Sequence, residues 1–575
     1  MFKLLRFLKP FALLIALVLV LVFLQSLAEL YLPTLMSNIV DVGIVNGDTR
    51  YILRIGGLML LVAAGGVVCS ILASFLSART GMRFGRDLRG AVFSHVQGFS
   101  LREFDRIGTP SLITRTTNDI TQIQMFAMVT MRMMVSAPIM AIGGVIMAVQ
   151  KDARLTWVLV FVIPIIALII SITAAKGLPL FQAIQGKIDR INLVLRENLT
   201  GVRVIRAFDR IEQERQRFDQ ANLDLTSTSI RVNKLMALLM PLMMLVMNLT
   251  TIAIVWFGAR RIDLGEMQVG SLMAFIQYAM QILFSLLMVS FLFVMLPRAS
   301  ASAGRINEVF ALHPEIRDPE NPKRATADTG HVEFRHVSYR YPGAEQAALS
   351  DISLEARPGE VTAIIGGTGS GKSTLVNLIP RFYDVQSGSV LVDGVDIREL
   401  SQEDLRSRLG FVPQKAVLFN DTIANNIRYG KETAGDEEVA LAAEISQATE
   451  FIVAAQGGFQ AEVAQGGTNL SGGQKQRLAI ARALVRKPEI YIFDDTFSAL
   501  DFKTEAKLRA ALKRETGQAT VIIVAQRVNT VMSADRIVVL DEGRVIGTGT
   551  HQELLRTCAV YREIVSSQLA AESSA

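Results

Sequence analysis

Six stretches within the first 300 residues are free of charge: 10–28, 55–78, 133–150, 155–175, 235–259 and 267–297. Wound as helices that rise about 1.5 Å per residue, each reaches across a hydrocarbon core of about 30 Å. Six in succession predict an all-α transmembrane domain over residues 1–310. An even number of spans returns the chain to its starting side, so the N-terminus and everything after 297 share one compartment. The connections 38–51, 150–154 and 260–266 are short, whereas 79–124 and 176–234 are long, charged and helix-like. These two are expected to be cytosolic extensions of the helices, broken near Gly108, Thr109 and Pro110 and near Ala207, Phe208 and Asp209.

After residue 297 the hydrophobicity collapses, and HPEIRDPENPKRATADTG has the Pro-rich, charged character of a linker, placed at 311–330. Beyond it, over 331–575, short apolar runs at 361–365, 410–412, 490–493, 520–524 and 536–540 alternate with helix-like segments. That alternation predicts an α/β domain with a largely parallel sheet.

Half of the 575 residues are hydrophobic, which fits a lipid bilayer as the chain's surroundings. The net charge of +6 comes from Lys and Arg scattered between apolar runs, not from a basic block interleaved with aromatics, so nucleic acid is not expected as a partner. Cys69 and Cys558 supply neither a disulfide framework nor a metal-ligand spacing. Lys3, Arg6 and Lys9 ahead of the first span agree with a cytosolic N-terminus. Glu29, with Gln25 one helical turn before it, and Arg132 are polar residues at apolar stretches, open to a paired interfacial role or a functional one.

The nine residues Gly366, Gly367, Thr368, Gly369, Ser370, Gly371, Lys372, Ser373 and Thr374 fit G-x-x-x-x-G-K-[ST] between an apolar strand-like run and a helix-like one. Backbone N–H groups at such a turn converge on phosphate oxygens, with Lys372 reaching the β/γ-phosphates and the Ser373 hydroxyl serving Mg²⁺. ATP and Mg²⁺ are therefore the expected cofactors.

The stretch LSGGQKQR, containing Ser471, Gly472, Gly473 and Gln474, resembles the signature of ATP-binding cassette transporters, and the likeness extends over six spans followed by a cassette, as in an exporter half-transporter. The resemblance implies that Tyr341 in VSYRYP stacks on adenine, Gln414 in FVPQKAVLFN touches Mg²⁺, Asp494 holds Mg²⁺ at the end of YIFD, and 498–501 (SALD) crosses a cassette dimer. It also implies a second half-transporter subunit, since the signature of one cassette closes over the phosphate loop of another.

This chain departs from the family pattern at the catalytic positions. Asp495 stands where a competent site carries Glu, one methylene longer, and Gln526 stands where the family carries a His against the γ-phosphate. Gln465 replaces a common Glu ahead of the signature. The resemblance is thus to the degenerate-site subunit of a heterodimeric bacterial multidrug exporter, in the plasma membrane with its cassette in the cytosol, moving amphipathic compounds outward. A nucleotide-gated regulator or channel and an importer of chelates on an exporter-like fold stay open as alternatives.

Overall fold

The computed structural model describes residues 2–325 and 329–573; residues 326–328, inside the expected linker, lie outside the described residues. The chain forms two compact units, one of Met1–Gln97 with Gly108–Leu312, the other of Gly98–Ile107 with His313–Ala575.

The first unit is helical. A 3-10 helix, Phe2–Phe11, leads into α1 (Ala12–Asn38), followed by α2 (Thr49–Gln97). The short helices α3 (Leu101–Ile107) and α4 (Thr109–Thr114) come next, of which α3 belongs to the second unit. Then follow α5 (Ile120–Lys151), α6 (Trp157–Thr200), a short α7 (Val202–Ala207), α8 (Ile211–Asp263) and α9 (Val269–Ala311). Among the described residues six helical segments are long and apolar enough to cross a membrane. They outrun the apolar stretches, because the charged extensions continue the helix and carry pairs such as Arg217 with Glu214 at i, i+3. Gly108 (φ +80°) and Asp209 (φ +49°) mark the two breaks, with Pro110 in the first turn of α4.

Buried aspartates tie both ends of α9 to its neighbours. Asp41, in a π-helical turn at the end of α1 (Ile39–Ile44), accepts from Gly270 N at 2.5 Å and from the hydroxyls of Ser37 and Ser271 at 2.9 and 3.1 Å. Asp119, in a second π-helical turn ahead of α5 (Arg115–Asp119), accepts from Ser302 Oγ at 2.9 Å and Arg305 Nε at 2.7 Å. A wide turn that presents a carboxylate sideways fits the habit of π-bulges to sit where a helix makes a special contact. Between these anchors Phe275, Tyr278 and Ile282 of α9 pack against Leu30, Ala148 and Leu159. Glu29 accepts from Gln25 Nε2 at 2.9 Å, so the pair foreseen one turn apart forms.

The second unit is built on twelve strands among the described residues. A four-stranded antiparallel sheet, in the order β2-β1-β4-β5, holds β1 (Val332–Tyr339), β2 (Leu349–Ala356), β4 (Ser387–Val392) and β5 (Val395–Asp396). β7 (Asp421–Thr422) and β8 (Glu462–Val463) make a separate short pair.

The main sheet runs β12-β11-β3-β10-β9-β6. In it β3 (Val361–Ile365), β6 (Leu409–Val412), β9 (Ile490–Asp494), β10 (Thr520–Val524) and β11 (Arg536–Asp541) are parallel, and β12 (Arg544–Gly549) is an antiparallel edge. Helices cover it, so β9 and β10 are buried at every residue. The largely parallel α/β sheet expected from the alternating runs is present. Within this unit α3 is fastened by an ion pair between Arg102 and Glu315.

Candidate nucleotide site

Three adjacent strands, β10, β9 and β6, end on the same edge of the main sheet next to β3, and the candidate residues lie just past those ends. Such carboxyl-end crevices are where open α/β sheets hold ligands. β3 stops at Ile365, the loop 366–371 turns, and α10 (Lys372–Leu378) begins. Gly371 takes φ +98°, and a Cβ there would stand 2.7 Å from Ala348 O, so only glycine fits the turn into the helix. Lys372 Nζ donates to Gly366 O at 2.9 Å and to Gly367 O at 2.7 Å, folding the ammonium across the loop.

At the end of β9 Asp494 is 4% exposed and accepts from Ser373 Oγ at 2.9 Å. Burial holds its carboxyl above the ordinary aspartate value, against the pull of Ser373 and Lys372. Lys372 shows the mirror effect: burial lowers its pKa, while Asp495 and then Asp494 act to raise it.

Asp495, 7% exposed, adopts a left-handed conformation with φ +46°, uncommon for a residue other than glycine. Its Oδ2 accepts from Gln414 Nε2 at 3.1 Å and from Gln526 Nε2 at 3.0 Å. Gln414 follows β6 and Gln526 follows β10, so the sheet order itself converges two amides on one carboxylate oxygen.

Tyr341 stands beside this pocket, its hydroxyl 3.1 Å from Thr374 Oγ1 and its ring edge-on to Tyr339 and Tyr383 at 5.0 and 5.6 Å. Burial pushes the Tyr383 hydroxyl up to about 12. Ser498 Oγ donates to Asp495 O at 2.8 Å, bringing the first residue of SALD to the same turn.

The signature residues form a separate group. Ser471 caps the helix Gly472–Leu484: its Oγ accepts from Gln474 N at 3.3 Å and its N donates to Gln474 Oε1 at 2.8 Å. These bonds stay within the turn, and Ser471 and Gly472 are exposed. One link to the pocket leaves no signal in the sequence. Gln476, buried on that helix, donates from Nε2 to Gln414 O at 2.6 Å, so the helix carrying the signature holds the backbone of a residue that touches Asp495.

Long apolar helices followed by a phosphate-loop α/β domain define a membrane ATPase. Residues 15–286 match the family described as ABC transporter transmembrane region, and residues 349–498 match ABC transporter. An uncharacterized ABC transporter ATP-binding protein of Mycobacterium tuberculosis is 48% identical over 97% of each chain. An ATP-dependent lipid A-core flippase of Aromatoleum aromaticum is 34% identical over 90% of this chain and 85% of its own. The solved structure of a bacterial Atm1-family ABC exporter with ATP bound superposes with a TM-score of 0.80 at 27% identity, covering 96% of this chain and 97% of that one. The chain belongs to the ABC transporters: it is an exporter half-transporter, a membrane protein whose cassette binds ATP, in a family that hydrolyses it.

Proposed function

We propose that this chain is the slow-site subunit of a heterodimeric exporter that moves amphipathic compounds outward across a bacterial plasma membrane, with its N-terminus and cassette in the cytosol. The observation that carries this reading is the double amide contact on Asp495 Oδ2. A general base needs an oxygen free to take a proton from water, held within about 3 Å of it. Asp is a methylene shorter than Glu, and two amide donors already engage one of its oxygens. Gln526 can donate a hydrogen bond but carries no charge at any working pH.

Binding is left intact by these features. Lys372 can exchange the carbonyls of Gly366 and Gly367 for phosphate oxygens at little cost, and the loop amides remain. Mg²⁺ fits the pair formed by the Ser373 hydroxyl and the buried Asp494 carboxylate, because a divalent cation favours the charged form that burial disfavours. When bound it would neutralise charge between phosphates. Ser373 and Asp494 would hold it, Gln414 would stand beside them, and Tyr341 would offer its ring to the base.

A second subunit is supported by what α7 leaves uncovered. Val204 and Phe208 are 60% and 73% exposed at the second break, and no residue of α7 is buried. In the pair, Ser471, Gly472, Gly473 and Gln474 complete the partner's fast site, while the pocket of Lys372, Asp494, Asp495 and Gln526 retains ATP. Steady-state ATPase of the purified chain is expected about 10²-fold below that of the co-purified pair. Equal specific activity of the chain alone would overturn the heterodimer.

A further inference from the structure

The 3-10 helix Phe2–Phe11 winds with about three residues per turn, so side chains three apart eclipse one another. Lys3, Arg6 and Lys9 therefore stand on one straight ridge, where an α-helix would fan them around its axis. All three are exposed. With Asn307, Phe310 and Ala311 from the last turns of α9 they line a cavity of about 690 Å³. The guanidinium of Arg6 lies over the rings of Phe7 and Phe310, at 5.1 and 5.7 Å, and those rings stack on each other at 6.1 Å. Stacking of this kind fixes the plane of a guanidinium and leaves its N–H edge available for a bidentate anion. Among the described residues no acidic side chain lines the cavity and none of the three cations is in an ion pair.

Three cations facing one cavity without a counter-charge call for an anion, and their surroundings select which. One turn beyond Lys9 the exposed stripe Leu13, Leu17, Val20 and Leu24 begins along α1, with Leu13 exposed to 84%. A ligand that satisfies both features has an anionic head and apolar tails. We propose that this cavity holds the headgroup of an anionic phospholipid, its phosphate on Lys3, Arg6 and Lys9 and an acyl chain along Leu13 and Leu17. Basic clusters where a span meets the cytoplasmic surface gain affinity from anionic headgroups in this way. The site stands apart from the assignment of slow and fast ATP pockets, since it uses the membrane unit alone.

Native mass spectrometry of the full chain in detergent tests this, with an equimolar mixture of phosphatidylglycerol and phosphatidylcholine of matched acyl chains. The wild type is expected to prefer phosphatidylglycerol. Lys3→Gln, Arg6→Gln and Lys9→Gln together should lower that preference about tenfold. Removing three charges elsewhere, by Arg86→Gln, Arg190→Gln and Arg196→Gln on α2 and α6, should leave it within about twofold. Asn307→Glu reaches the cavity from α9 and should also abolish the preference, which decides the matter should the triple variant not fold. A wild type without preference, a control triple that loses as much, or an Asn307→Glu variant that keeps the preference each overturns the proposal. So does displacement of the lipid by glycerol phosphate at equal concentration, which would make this a simple anion site.

Discussion

Around the phosphate loop the cassette's polar groups are turned on one another: Lys372 on the carbonyls of Gly366 and Gly367, Ser373 on Asp494, Gln414 and Gln526 on Asp495. At the signature turn Ser471 and Gln474 are engaged with each other. Gly472 is exposed, and a Cβ there would meet nothing within 4 Å. The first region is closed on itself, whereas the second leaves Ser471 and Gly472 open to whatever approaches from outside the chain. In the proposed pair one chain's loop joins the other's signature, so these two regions of one chain would serve different ATP molecules. A fault in one need not slow the other.

The sharpest way to break this comparison is a substitution at Gly472 set beside one at Asp495. Gly473 is a poor choice, since a Cβ there would lie 3.1 Å from Ala499 O and disturb the chain's own packing. Gly472→Val meets no such neighbour, so its effect reports on the approach of a partner. ATPase of the co-purified pair is expected to fall about 10²-fold or more, the size seen when a donor to a reacting phosphate or oxyanion is lost. Asp495→Ala should leave turnover within about twofold. If Asp495→Ala is as damaging as Gly472→Val, the roles assigned to the two regions are wrong.

A gain of function sharpens it next. In the chain purified alone, each pocket can meet only this chain's own signature, whose cap is intact. Asp495→Glu with Gln526→His lengthens the carboxylate and replaces one of its amide partners, so ATPase should rise about tenfold or more over the wild-type chain alone. No rise would mean that the slowness is set elsewhere, and Gln465, in the short 3-10 turn Gln465–Gly467 ahead of the signature, would be the next position to change.

What could be read in advance follows how local each feature is. The strands at 361–365 and 520–524 were legible to the residue, because strands covered on both faces are unbroken apolar runs. The antiparallel sheet was not, since β1 alternates buried with less buried positions and β2 mixes Asp and Glu into its run. The phosphate loop is contiguous and announces itself. The meeting of Gln414, Asp495 and Gln526 on one oxygen spans more than a hundred residues and is created by the order β10-β9-β6. Gln476 looks like a solvated helix residue until its helix is packed, and the π-helical turns that aim Asp41 and Asp119 at α9 leave no mark in hydrophobic periodicity.

The smallest effect concerns charge within the phosphate-loop pocket. Burial lowers the pKa of Lys372, and Asp495 is the stronger of the two carboxylates that resist this. Bound polyphosphate stabilises the ammonium, so Lys372 is more basic with ATP present than without it. Binding is therefore coupled to protonation, and affinity should decline as pH rises through the free-state pKa, below the ordinary lysine value. Asp495→Asn keeps the size of the side chain and removes one supporting charge, which lowers that free-state pKa further. The decline should then begin at a lower pH, while affinity near pH 7 stays within about twofold. Equilibrium binding of a fluorescent ATP analogue to the full chain, from about pH 7 to about pH 10, measures both quantities. A decline that stays where it was would show that Asp495 does not support Lys372 and that the pocket's retention of ATP rests on the loop amides alone.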